Sequence, residues 1–198
     1  MEHRNSTVLT SSTSIQGDRL DLIDTIAHEF FHTWNVERIR PKSLEPFNFE
    51  EANMSGELWL AEGFTSYYGP LTLKRAGLTN LRSFLRTMDE AIEKVTTSPA
   101  RQIRSAVEMS RLAPFVDAAT SIDQTNFANT YISYYTWGTA LGVGLDLTLR
   151  DRSDGKVTLD DFMRALWARF GRPGIDVPGY VATPYTLDDL KNVLGNVA

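Results

Sequence analysis

The chain has 198 residues, a net charge of −5 and no cysteine. That length suits one large domain or two tightly packed lobes around a sizeable core. Scattered Lys and Arg leave no basic stripe for nucleic acid, and the lack of Cys excludes disulfides, a thiolate nucleophile and a Cys-based metal site. No apolar run approaches the roughly 18 residues of a membrane span, and Met1-Glu2-His3-Arg4 does not open a signal peptide. The abrupt start and end predict a piece of a longer chain, with any targeting segment outside it.

In chain order, residues 6–15, rich in Ser, Thr and Val, read as a short strand or extended edge. Gly17-Asp18 marks a turn, and Asp18 or Asp21 can cap a helix. Leu20, Ile23, Ile26-Ala27, Phe30-Phe31 and Trp34 have helical spacing, and Pro41 predicts that this helix stops near Asn35 to Arg38. Residues 41–56 read as a loop. Helices are predicted over 57–75, ending near Gly77, and over 81–95, stopped by Ser98-Pro99. One short helix is expected at 105–112, with a long loop after it. An apolar helix follows at 134–149, whose Gly138, Gly142 and Gly144 permit close packing. A turn at Ser153-Asp154-Gly155 leads to a helix over 159–170, a Pro/Gly-rich loop over 172–184 and a last helix over 187–194. The expected fold is mainly α, with only a short strand remnant at the N-terminus.

The strongest local signal is His28-Glu29-Phe30-Phe31-His32. Residues four apart share a helix face, about 6 Å apart along the axis. Both imidazoles can therefore reach one zinc ion at about 2.0–2.1 Å. Glu29 sits beside them, where a base takes a proton from an activated water. The pattern arises by chance in under about one in a hundred chains of this length. A catalytic zinc has three protein ligands and one open place. Glu62, flanked by Leu58, Trp59, Leu60, Ala61 and Phe64, is the candidate third ligand, because a carboxylate in apolar company needs a partner.

Segments 28–41 (HEFFHTWNVERIRP) and 59–68 (WLAEGFTSYY) resemble the glycyl aminopeptidase family of gluzincin metallopeptidases. That family is related to zinc aminopeptidases with a thermolysin-like catalytic domain. The resemblance implies one zinc ion on His28, His32 and Glu62, with Glu29 as general base. Residues 1–6 resemble the end of the family's GGLEH-type strand, which implies that Glu2 binds the substrate's free α-amino group. Segment 131–138 resembles the Y-x-K-G segment that carries a catalytic tyrosine. The matching residue is Tyr135, with Tyr134 as the fallback, and Trp137 stands where Lys is frequent. The resemblance also implies an upstream β-rich domain, a downstream PDZ domain, and a peptide or protein substrate with a small first residue, Gly or Ala.

The expected organisation is a single catalytic domain over 1–198. Residues 1–97 form its zinc-binding part, and 98–198 form a helical lobe that carries the tyrosine. Asp24, Thr65 and Ser66 can orient the ligands or be purely structural. Arg38 and Arg40 can bind a carboxylate, with a structural salt bridge the better reading. Segment 151–161 is not a calcium loop, because Arg150 and Arg152 fall on ligand positions. Two alternatives to the aminopeptidase remain: a zinc endopeptidase, and a non-catalytic zinc-bearing scaffold that binds protein partners.

Overall fold

The computed structural model describes residues 2–3, 6–10, 14, 17, 19–116, 125–177 and 180–198. Its helices in chain order are α1 (Arg19–Phe31), α2 (Leu58–Ala61), α3 (Gly63–Arg75), α4 (Leu81–Thr97), α5 (Ala106–Arg111), α6 (Ala113–Val116), α7 (Phe127–Thr130), α8 (Tyr134–Arg152), α9 (Leu159–Leu166) and α10 (Leu187–Val197). The fold is mainly α, as the sequence predicts. The N-terminal remnant is a two-residue hairpin, β1 (Glu2–His3) against β2 (Ser6–Thr7). The strand expected over 6–15 is thus shorter, because only two residues find a partner. Inside the Pro/Gly-rich stretch, β3 (Ile175–Val177) pairs antiparallel with β4 (Tyr180–Val181), where a loop was expected. None of the described helices is long and apolar enough to cross a membrane.

Local chemistry sets the helix starts. The Asn80 side chain accepts from Ser83 N–H at the head of α4. Ser105–Glu108, Thr158–Asp161 and Thr186–Asp189 form capping boxes on α5, α9 and α10. Gly77, at φ +73°, follows the end of α3, where the sequence predicts the helix to stop, since glycine tolerates positive φ. Boundaries differ from the sequence reading in several places: α8 runs on to Arg152 and α10 to Val197, α9 passes into a π-helical turn over Trp167–Gly171, and α6 and α7 lie within the long loop expected after residue 112. Helix α1 stops at Phe31, short of the predicted Asn35–Arg38, and the helix expected over 57–75 is interrupted at Glu62.

Close approach between helices builds the site. A Cβ on Gly63 would lie 2.3 Å from Gly138 Cα, and one on Gly138 would lie 1.7 Å from the Trp59 carbonyl oxygen. The backbones of α2, α3 and α8 therefore touch. Gly69 does the same for α1, since a Cβ there would lie 3.3 Å from His28 N. The main core joins Leu60, Phe64, Tyr67 and Tyr68 to Leu159, Phe162 and Leu166, and a second cluster gathers Val95, Ala100, Met109, Tyr131 and Ile132. Buried Asp146 ties α8 to α3 and α9. It accepts from Tyr67 Oη at 3.1 Å, Arg150 Nε at 2.9 Å and Leu159 N at 2.7 Å.

Candidate metal centre

Helix α1 carries His28, the turn just past its end carries His32, and the break between α2 and α3 brings Glu62 to the same point. The His28 and His32 Nε2 atoms are 3.1 Å apart. Glu62 Oε2 lies 3.2 Å from His28 Nε2 and 3.1 Å from His32 Nε2. Burial pushes the Glu62 carboxyl up, but with the two imidazoles protonated, their hydrogen bonds and charge outweigh it and hold the group down at about 2.

The donor chemistry fits a shared cation. His32 Nδ1 is 2.8 Å from the Asn35 carbonyl oxygen. A carbonyl only accepts, so Nδ1 carries the proton, and in the neutral ring Nε2 is a lone pair. That lone pair faces a carboxylate oxygen. Four ligands at about 2.0–2.1 Å from a tetrahedral zinc are about 3.3–3.4 Å from one another. The observed 3.1–3.2 Å spacings are close to that edge length. His28, Glu29 and His32 also form a group able to hold a metal, with ligand atoms within 4.8 Å of one another. Glu62 makes the closer contacts, with Oε2 3.1–3.2 Å from both imidazole Nε2 atoms. Glu29 Oε2 accepts from Thr7 Oγ1 at 3.3 Å, which brings β2 to the edge of the centre.

Tyr135 opens the first turn of α8. Its ring lies 6.0 Å from that of His28, with planes 30° apart, and it is 37% exposed. Tyr134 is 3% exposed and packs inside. His28, Tyr135, Ser66 and Asp24 line one open cleft of about 430 Å³, whose far wall is Thr87, Glu90, Ala91 and Lys94 of α4. Glu2 sits in β1 opposite Thr7; its side chain lies outside the described residues.

The remaining candidates are placed as follows. Ser66 Oγ is 3.4 Å from His28 Nδ1, and Thr65 Oγ1 donates to the Ala61 carbonyl at 2.6 Å. Arg40 pairs with Glu45 at 2.7 Å, and Arg38 donates to the Thr33 carbonyl. Sequence reasoning missed Thr7 and Asn35. The Asn35 side-chain amide, fully buried, donates to the carbonyls of Leu60 and Ala61 and to Thr65 Oγ1 at 2.9, 3.0 and 3.1 Å.

No curated protein matches the chain. Among solved structures, an aminopeptidase N family protein from Idiomarina loihiensis is similar, with a TM-score of 0.75 and 28% identity. That match covers 100% of this chain and 36% of the other, so the chain spans about a third of that relative's length. Residues 21–141, more than half of the chain and all of the centre from His28 to Tyr135, match the M61 glycyl aminopeptidase family. On that match, the chain belongs to the M61 glycyl aminopeptidase family.

Proposed function

We propose that the chain is the catalytic core of a zinc-dependent aminopeptidase. The observation that carries this reading is the mutual 3.1–3.2 Å spacing of His28 Nε2, His32 Nε2 and Glu62 Oε2. These three side chains would hold one zinc ion, and when bound it would supply Lewis-acid chemistry toward a water and a carbonyl. Glu29, beside the ligands, takes a proton from the attacking water as its oxygen bonds to the scissile carbonyl carbon. The C–N bond breaks, and Glu29 delivers that proton to the leaving amine. The Tyr135 hydroxyl, on the cleft wall next to His28, donates a hydrogen bond to the developing oxyanion. Glu2 pairs with the substrate's terminal ammonium, so one residue, preferably small, is released. An upstream β-rich domain and a downstream PDZ domain complete the protein, and the chain alone is expected to be weakly active or inactive.

In the full-length protein, Glu29→Gln is expected to keep its zinc and lose at least about 10²-fold in peptide hydrolysis. Undiminished hydrolysis removes Glu29 as the base, and a protein that never hydrolyses peptides while binding zinc is the scaffold. N-acetylation of the substrate is expected to abolish cleavage. Equal cleavage of free and acetylated peptides makes the enzyme an endopeptidase instead.

A further inference from the structure

The described residues hold one polar group that touches both halves of the centre without belonging to it. The Asn35 carbonyl accepts from His32 Nδ1 at 2.8 Å, which turns His32 Nε2 toward Glu62. The Asn35 side-chain amide donates to Leu60 O, Ala61 O and Thr65 Oγ1, the groups flanking the break at which Glu62 leaves the helix. Thr65 Oγ1 in turn donates to Ala61 O. We propose that Asn35 is the positioning residue of the metal centre: its backbone aims His32 and its side chain holds the helix break that aims Glu62. This inference rests on the metal-centre reading above and adds the device that brings two separate helices to one point.

Two observations argue that the residue is kept for geometry more than for stability. Asn35 Oδ1 is buried with no hydrogen-bond partner among the described residues, an arrangement that is unfavourable for a buried acceptor. The two N–H groups of the amide are shared among three acceptors, Leu60 O, Ala61 O and Thr65 Oγ1. The next residue, Val36, holds φ at +134°, a region a β-branched side chain rarely adopts. Strain at one residue and an orphaned oxygen at its neighbour coincide where two ligands are aimed.

The test measures zinc affinity by chelator competition and the visible spectrum of the Co²⁺-loaded protein. Asn35→Ala keeps the backbone carbonyl and deletes the three amide contacts. It is expected to weaken zinc binding about 10–100-fold and to change the cobalt spectrum. Should Asn35→Ala fail to fold, Thr65→Val decides: it keeps the side-chain shape, removes one amide acceptor, and is expected to shift both readouts in the same direction by less. Tyr67→Phe, on the same helix as Thr65, loses a buried hydrogen bond to Asp146 of α8; it controls for general destabilisation and is expected to leave both readouts alone. A wild type that takes up no zinc overturns the metal-centre reading and this inference together. A wild type that binds zinc, beside a folded Asn35→Ala or Thr65→Val with unchanged affinity and spectrum, overturns this inference alone.

Discussion

Tyr134 and Tyr135 are neighbours whose rings stack at 4.8 Å, yet α8 sends one into the core and the other to the cleft. A hydroxyl acts on a reacting oxygen only where substrate can reach it. Tyr135→Phe in the full-length protein is therefore expected to lower kcat by about 10²-fold, with zinc content and fold intact. Tyr134→Phe is expected to leave turnover alone and change stability by about 1 kcal/mol. Steady-state kinetics beside urea unfolding separates the two, and the reverse pattern moves the role to Tyr134. At this scale the legible candidates were those whose chemistry is local. Four residues make one helical turn, so His28 and His32 read as a pair, and Glu62 stood out as a carboxylate among apolar neighbours. Asn35 gave only the signal of a helix terminator, since Asn competes with helical hydrogen bonding. Its partners at Leu60, Ala61 and Thr65 are 25–30 residues away and meet it only in the folded chain.

Helix α8 carries three glycines whose environments differ sharply. A Cβ at Gly138 would overlap the Trp59 carbonyl, one at Gly142 would make ordinary contact with Tyr67, and one at Gly144 would meet nothing within 4 Å. Sequence spacing marks all three alike, because it cannot say which face a neighbour covers. Gly138→Ala is expected to destabilise the chain by about 3 kcal/mol, since the obstacle is backbone and cannot rotate away. Gly144→Ala is expected to be neutral or to stabilise by up to about 1 kcal/mol, through helix propensity. Denaturant midpoints of the two variants check this, and a Gly138→Ala as stable as wild type removes the backbone contact from the account. The same blindness to facing explains α1. Its apolar spacing correctly predicts a helix, but Ile26, Phe30 and Trp34 are exposed along one stripe, and the polar His32 is buried. The interruption at Glu62 falls beside Gly63, a breaker that the helical reading of 57–75 passed over, and its outside contacts from Asn35 come from a distant segment.

For the molecule as a whole, the mainly α class followed from periodicity and punctuation, which are summed over many residues and survive local errors. The arrangement of helices did not, because it depends on glycine contacts and buried polar ties between distant segments. One consequence concerns stability. Helix α1 is attached to the rest through its contact with α3 and through the His28–His32–Glu62 cluster, while much of its apolar surface faces outward. A cation gripped by α1 and by the α2–α3 break would bind the folded chain and not the unfolded one. At free zinc near 100 Kd this linkage contributes about 2.7 kcal/mol. For a domain of this size that raises the thermal midpoint by about 5–10 °C. Scanning the chain in excess zinc and again in EDTA measures the difference. Glu62→Ala removes one of the three grips, so its midpoint is expected to move by no more than about 2 °C between the two conditions. A wild-type midpoint that ignores zinc would mean that the two helices are joined by packing alone, and that the cluster binds no ion.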